Sequence, residues 1–207
     1  MYKSKQMFSK YNRAKGFTLT ELLVVIMVAT ILMSIGAMSL LQSNVGRGLD
    51  AGVTIVESTI EQARKLAVAR NTNARVFINN DTSDSENYGR QLIVAYNDGG
   101  WKAEFRSVKL PSGVFVDTSQ RVSTSAAVGT LQTNGSIAFK GNSTQTAAYI
   151  EFNQLGLCKY SGSSNPGSSL VLVSGSYDGS TIVNKGDDQA GIVVWRNGST
   201  TVTDDIN

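Results

Sequence analysis

The sequence predicts an α+β protein, in which a long N-terminal helix with a membrane half and an amphipathic half packs on a β-rich head of two small antiparallel sheets. Three features predict this fold class: a 20-residue run without charge from Leu22, an amphipathic stretch to about residue 70, and short apolar segments separated by turn residues. We expect a basic leader at 1–16, a helix at 17–71 that spans a membrane over 22–41, and a head at 72–207.

The positive charge of the chain lies in its first residues. Five basic residues and no acidic one precede Gly16: Lys3, Lys5, Lys10, Arg13 and Lys15. The rest of the chain carries 14 basic and 16 acidic residues, so the predicted head is weakly acidic. Because cationic segments stay on the cytoplasmic side of a membrane, the leader predicts a cytoplasmic N-terminus and an extracytoplasmic head. The same distribution argues against a nucleic-acid-binding head.

The apolar run LLVVIMVATILMSIGAMSLL, residues 22–41, is long enough for a helix to cross the roughly 30 Å hydrocarbon core of a bilayer. A secretory signal cleaved near Ser34-Ile35-Gly36 and a plain signal anchor are alternatives. Neither explains Glu21, a carboxylate at the mouth of the run that is costly to bury without a partner. If the leader were cut after Gly16, the new α-amino group of Phe17 could be that partner, within one helix or between subunits.

Residues 15–25, KGFTLTELLVV, resemble the prepilin signature of type IV pilins and type II secretion pseudopilins. In that family a membrane peptidase cuts after the Gly, the new N-terminal Phe is N-methylated, and the Glu serves in assembly. The resemblance implies cleavage between Gly16 and Phe17, N-methylation of Phe17 and an assembly role for Glu21. It also implies, as partners, other pilins or pseudopilins, prepilin peptidase and an inner-membrane assembly platform. The chain would lie first in the bacterial inner membrane and then in a pilus or pseudopilus.

Beyond the apolar run, an apolar stripe at helical spacing continues to about residue 70: Val45, Leu49, Val53, Val56, Ile60, Ala63 and Ala67. Gly46, Gly48 and Gly52 predict a bend or a frayed joint there. Residues 61–71 with 74–78 resemble the helix-to-strand junction of the minor pilin and pseudopilin H group (the GspH/FimT family), and residues 192–198 resemble its last hairpin. This resemblance implies a structural minor subunit of a type II secretion pseudopilus or a type IV pilus.

The head is predicted to consist of short strands joined by turns. Alternating apolar residues between turn signals predict strands at 74–79, 90–96, 101–108, 114–117, 136–139, 148–153, 169–173, 191–196 and 200–203. The sequence Asn97-Asp98-Gly99-Gly100 predicts a hairpin, because Asn and Gly tolerate the positive φ angles of such turns.

The residues argue against an enzyme. The chain has no histidine, which removes Ser-His and Cys-His catalysis, and no phosphate-binding motif, so we expect no catalytic residue and no cofactor. Asp81, Asp84, Glu86 and Asn87 could serve a calcium ion, but their spacing departs from that of the EF-hand and favours a solvated loop, so no metal site is predicted. Cys158, the single cysteine, is expected to be a buried and inert thiol.

The alternative function is a tip minor pilin that binds DNA or a surface. Some members of the resembled family bind DNA through basic residues that include a Gly-Arg-x-Arg element near the C-terminus. Here Ser-Thr-Thr follows Gly198, and Asp204-Asp205 would repel phosphates. Lys102, Arg106 and Arg196 remain the candidate DNA contacts.

Overall fold

The computed structural model describes residues 18–122, 129–139, 143–159, 167–183, 185–186 and 188–206, with the side chains of residues 34–47 excepted. The chain divides into two compact units, Met1–Gln42 and Ser43–Asn207. One helix and fourteen strands are described: α1(Leu19–Arg70), β1(Ala74–Asn79), β2(Gln91–Asn97), β3(Trp101–Ala103), β4(Val108–Lys109), β5(Val114–Asp117), β6(Gly129–Thr130), β7(Gln132–Ile137), β8(Gln145–Phe152), β9(Cys158–Lys159), β10(Gly167–Ser174), β11(Ser176–Tyr177), β12(Ile182–Val183), β13(Gln189–Trp195) and β14(Thr200–Thr203).

Helix α1 ends where the sequence places its end. Asn71 adopts a left-handed conformation with φ 50°, and its N–H donates to the carbonyl of Val68 at 3.2 Å. The N–H of Thr72 donates to the carbonyl of Ala67 at 3.1 Å. These two bonds form a Schellman cap, which satisfies the last free carbonyls of the helix and turns the chain into β1.

Within the described residues, the strands form one seven-stranded sheet, one five-stranded sheet and a separate two-stranded ribbon, β11-β12. Sheet A has the order β3-β2-β1-β8-β7, with β4 beside β2 and β9 beside β8. Sheet B has the order β14-β13-β10-β5, with β6 paired to β10. The β10–β6 pair is parallel, and the other described pairs are antiparallel. The α+β fold class is therefore confirmed, with a ribbon and a parallel pair in addition.

The strands differ most from two of the predicted segments, and four short strands, β6, β9, β11 and β12, were not predicted. The predicted strand at 101–108 is two short strands, β3 and β4, which pair with opposite ends of the same partner, β2. The predicted strand at 136–139 is β7, which begins at Gln132 and has an irregular register between Gln132 and Gly135. The predicted hairpin is confirmed: β2 and β3 are paired up to Asn97 and Trp101, and Gly99 has φ 68°.

The core of the second unit lies between the helix and the inner faces of both sheets. The predicted stripe is buried at Leu49, Val56, Ile60, Ala63 and Ala67 and half-buried at Val53, while Val45 lies outside the described side chains. Alternate residues of the sheets meet this stripe: Val76, Ile78, Ile150 and Phe152 from sheet A, and Leu170, Leu172, Ile192 and Val194 from sheet B. The helix is thus held by two sheets rather than one.

The outer faces of the sheets carry apolar clusters of their own. Phe77, Ile93 and Ala147 belong to a cluster on the outer side of sheet A, and Val171 and Val193 to one on sheet B. Because both of its faces are covered, all eight residues of β10 are buried. Strand β5, its neighbour in sheet B, is likewise buried at every residue.

The glycines at 46, 48 and 52 lie inside α1, which is assigned as helix without interruption over this stretch. A Cβ atom at Gly52 would lie 2.9 Å from Cγ1 of Val114 in β5. The absence of a side chain at Gly52 therefore lets the helix approach sheet B closely, which is a packing reason for this glycine.

Candidate assembly site

The candidate site begins at the first described residues of the chain. The N–H of Thr18 donates to Oε2 of Glu21 at 2.9 Å, and the N–H of Glu21 donates to Oγ1 of Thr18 at 3.2 Å. The Thr18 hydroxyl also donates to Glu21 Oε2 at 2.9 Å. This reciprocal pair is a capping box, which satisfies two free N–H groups at the start of a helix. Glu21 therefore has a local role that the sequence analysis missed, although the Thr-x-x-Glu spacing was visible.

The capping box uses one oxygen of the Glu21 carboxylate and leaves the other available for a further hydrogen bond. Both hydrogen bonds from Thr18 reach Oε2, and Oε1 accepts none from the residues that the structure describes. Glu21 is exposed in the single chain. The predicted assembly residue is thus positioned by the helix start with one oxygen free for a further donor.

Immediately after Glu21, the helix presents apolar side chains on all sides. Seven consecutive residues, 22–28, are each between 50% and 61% exposed. Ile31, Leu32 and Met33 are also exposed. A helix that is apolar all round is normally buried in a protein core or a membrane. In the single chain this surface faces outward, so covering it requires lipid or another molecule.

The remaining leader predictions lie outside the described residues. Gly16 and Phe17, the predicted cleavage site, and Phe17, the predicted methylation site, belong to the undescribed segment, as do the side chains of residues 34–41 in the predicted membrane span. Over the described part of the chain, no helix meets the length and hydropathy required to cross a membrane.

The structure does not bring the three candidate DNA contacts into one patch. Lys102 lies on β3, at one edge of sheet A, and is paired with Asp98 at 2.6 Å. Arg196 follows β13, and its carbonyl accepts a hydrogen bond from the N–H of Cys158 in β9, at the opposite edge of sheet A. Four strand spacings, about 19 Å, separate these edges. Arg106 is exposed in the turn between β3 and β4. DNA contact by these residues stays a prediction.

The most enclosed ion pair of the head joins two strands of sheet A. Arg75 on β1 contacts Glu151 on β8 at 2.6 Å, and the exposed fractions of the two side chains are only 17% and 7%. The guanidinium lies 4.0 Å from the ring centre of Trp101 and 3.7 Å from that of Tyr149. A planar guanidinium can stack flat on rings and donate two hydrogen bonds to a carboxylate at the same time, whereas an ammonium has no planar face to stack.

Glu151 is also the acceptor for two further side chains. The amide of Asn73 and the ammonium of Lys159 each donate to Oε1 at 3.0 Å. Both oxygens of this nearly buried carboxylate are therefore satisfied. Such an arrangement fixes the register of neighbouring strands.

The acidic loop before β2 is tethered to the head through Asp84. Three side-chain amides donate to its carboxylate at 2.9–3.0 Å: those of Asn79, Asn87 and Gln145. Asp84 is partly buried, so the loop is anchored at this residue, whereas the sequence favoured a solvated loop. Among the described residues, no group of three metal-ligating side chains comes together.

A second buried carboxylate lies at the end of β5. Asp117 accepts hydrogen bonds from Lys185 and from the N–H and hydroxyl of Ser119. Burial alone would raise the pKa of Asp117, but these hydrogen bonds outweigh it and hold the pKa below its ordinary value. The pair ties the segment after β12 to sheet B.

Cys158 is buried, as the sequence predicts. Burial, reinforced by the nearby charge of Glu151, raises the pKa of its thiol to about 12. Because the thiolate is the reactive form, this cysteine is inert in the folded protein.

The N-terminal part of the chain matches a known family model. The family described as "Prokaryotic N-terminal methylation motif" matches residues 11–37. This match confirms the resemblance to the type IV pilin-like superfamily that residues 15–25 indicate. No curated protein matches the chain at a significant level.

Two solved structures are similar in part. Both are of the minor pseudopilin EpsH from the type II secretion system of Vibrio cholerae. The first is 13% identical, with a TM-score of 0.41 over 75% of this chain and 95% of that one. The second is 15% identical, with a TM-score of 0.37 over 73% of this chain and 92% of that one.

Proposed function

We propose that the chain is a structural minor subunit of a type II secretion pseudopilus or type IV pilus. The observation that carries the proposal is the match of residues 11–37 to the methylation motif. It is supported by the exposed apolar surface of the helix that follows Glu21. The resemblance of residues 61–71, 74–78 and 192–198 to the H group favours the minor class of subunit. The head also supports a structural role, because its buried ion pairs join segments of the head to one another.

In this proposal the leader is cut after Gly16 and the new N-terminus, Phe17, is methylated. The cationic leader keeps this end in the cytoplasm, residues 22–41 cross the inner membrane, and the head lies outside. Prepilin peptidase and an inner-membrane assembly platform would act on the chain there. Other pilins or pseudopilins then replace lipid around the apolar helix as the subunit enters the filament.

Glu21 acts in two ways in this account. Its Oε2 caps the helix through Thr18, and its Oε1 accepts the α-amino group of Phe17 from an incoming or neighbouring subunit. A carboxylate moved from water into an apolar bundle needs an opposite charge, because its desolvation is otherwise too costly. The requirement for that partner would fix the axial position of one subunit against the next.

Two substitutions separate the capping role from the docking role. Glu21→Gln retains a side chain that can complete a capping box but has no charge, so we expect loss of incorporation into filaments. Thr18→Val removes the hydroxyl cap and keeps the carboxylate, so incorporation is expected to persist. The measurement is immunoblotting of sheared or purified filaments from the native host, with membrane fractions as the control for expression.

The opposite pattern would contradict the docking role. If Glu21→Gln enters filaments as the parent chain does while Thr18→Val does not, then Glu21 matters only as a helix cap. If both variants assemble normally, the N-terminal site has no part in assembly and the structural proposal fails.

A further inference from the structure

The two ends of the second unit carry complementary surfaces. Near residues 49–54 of α1 is a groove of ≈ 790 Å³, whose apolar lining includes Leu49, Val53, Ala190 and Val202. Val202 is 43% exposed although it lies on the helix-facing side of β14, opposite Ile192. Part of the groove floor is therefore apolar, and the residues that the structure describes leave that part uncovered. We call it the acidic groove.

The rim of the acidic groove is negative. Asp50, Asp188 and Asp204 line it and are exposed. None of their carboxylates forms an ion pair with a residue that the structure describes. An apolar floor within an acidic rim fits an apolar projection that is surrounded by basic side chains.

Such a projection lies at the other end of the same unit, and we call it the basic knob. Leu155, at the tip of the turn after β8, is 71% exposed, and Val68 on α1 is 53% exposed. The two lie together because Gly156 packs on the helix: a Cβ atom at Gly156 would be 3.1 Å from Val68 Cγ2 and 3.3 Å from Arg64 Cγ. An apolar tip is thus held against the helix surface.

The surroundings of the basic knob are positive. Arg64 and Lys65 share a single carboxylate, Glu61, at 3.4 and 3.5 Å. The turn that contains Arg196 also packs on Arg64, since a Cβ atom at Gly198 would be 2.6 Å from Arg64 Cδ. Arg196 is exposed and has no ion pair among the described residues. The basic knob therefore has two more cations than carboxylates.

The groove and the knob lie at different positions along the helix. Their midpoints on α1 are about 15 residues apart, which corresponds to roughly 22 Å at 1.5 Å per residue. One copy of the chain cannot bring its own knob into its own groove. A contact between different patches on two copies does not close on itself at two subunits, so it extends as a ring or a helical array.

We propose that the acidic groove of one head receives the basic knob of a second copy of this chain, in a head-to-tail contact. Leu155 and Val68 would cover the floor formed by Val53 and Val202. Lys65 and Arg196 would face Asp188 and Asp204. The contact involves residues of the second unit alone, so it goes beyond the proposed function and does not depend on the processing of the leader.

The test uses two charge-reversed forms of the full chain in detergent. One form carries Asp188→Lys and Asp204→Lys in the groove, and the other carries Lys65→Glu and Arg196→Glu in the knob. Both forms and the parent chain also carry Glu21→Ala, so that docking at the N-terminal site does not contribute. Self-association is measured by analytical ultracentrifugation at low and high salt, and protection of the Cys158 thiol from alkylation verifies that each form is folded.

We expect the parent chain to self-associate at low salt. Its self-association should weaken as added salt screens the charges of the contact. Each reversed form alone should associate at least about tenfold more weakly, because like charges would then meet. An equimolar mixture should regain association, since each knob finds a groove of opposite sign in the other form. Rescue on mixing distinguishes a direct contact from a general effect of charge.

Four results would overturn the proposal. The parent chain could remain monomeric at every salt concentration, both reversed forms could associate as strongly as the parent, or the mixture could associate no better than its components. Association only after another filament subunit is added would also overturn contact between copies, and would assign the groove to that subunit.

Discussion

Helix α1 contains two regions whose apolar side chains have opposite exposure. In residues 22–33 the large apolar side chains are 50–74% exposed, on every side of the helix. In the head, the stripe residues Val56, Ile60, Ala63 and Ala67 are at most 1% exposed, while the residues between them are polar. The difference shows which part of the helix is stabilised by the chain itself. The first region needs a partner from outside, and the second has its partner in the two sheets.

The strongest test of this comparison uses the same substitution in both regions. Ile60→Ala should destabilise the head by about 2–5 kcal/mol, because Ile60 is 1% exposed and its truncation leaves a cavity. Ile26→Ala, at a residue 56% exposed, should change head stability by less than about 0.5 kcal/mol. Chemical unfolding of the full chain in detergent, followed by near-ultraviolet circular dichroism, measures both. Equal losses would contradict the division of the helix.

A second test asks whether a buried ion pair contributes more to the free energy of unfolding than an exposed one. Arg75→Lys should lower the free energy of unfolding by about 1–3 kcal/mol, because lysine cannot stack between Trp101 and Tyr149 while it binds Glu151 with two donors. Arg70→Lys is the matched control: its pair with Glu104 is more open, with 47% of the arginine side chain exposed, so this variant should lose less stability than Arg75→Lys.

The order of these two losses is the diagnostic result. If Arg70→Lys were the more destabilising change, the stacking of Arg75 on Trp101 and Tyr149 would have no special role in holding β1 against β8.

The third test is the smallest in size and concerns pH. Asp117 has a pKa below its ordinary value in the folded head, so it contributes stability above the pKa of the unfolded chain. That stability should fall as the pH drops below about 4 and the carboxylate becomes protonated. Asp117→Asn should reduce the slope of stability against pH in this window. If thermal unfolding from pH 2 to 6 gave the same slope of stability against pH for Asp117→Asn and for the parent chain, Asp117 would not contribute to this pH dependence.

Local sequence signals were sufficient where a single segment determines the structure. The end of α1 follows from the end of the apolar stripe near residue 70, and the β2–β3 hairpin follows from the glycines after Asn97. The buried stripe follows from helical spacing. In contrast, the two-residue strands β9, β11 and β12 are too short to give a periodic signal, and they depend on partners elsewhere in the chain.

The features of the candidate sites also differ in whether one segment of the chain determines them or distant segments do. Glu21 could be identified because its charge is anomalous beside an apolar run. The stacking of Arg75 could not, because its rings come from β3 and β8, which the sequence does not place side by side. The acidic groove and the basic knob were also invisible, since each combines residues of α1 with loops more than 80 residues further along the chain.

The central claim is that the exposed half of α1 belongs to a processed filament subunit. Intact-mass and N-terminal analysis of the protein purified from membranes of its native host tests it most directly. The account predicts a chain that begins at Phe17 and carries one added methyl group. A chain that still begins at Met1, or one that begins near Ala37 after removal of the apolar run, would contradict it.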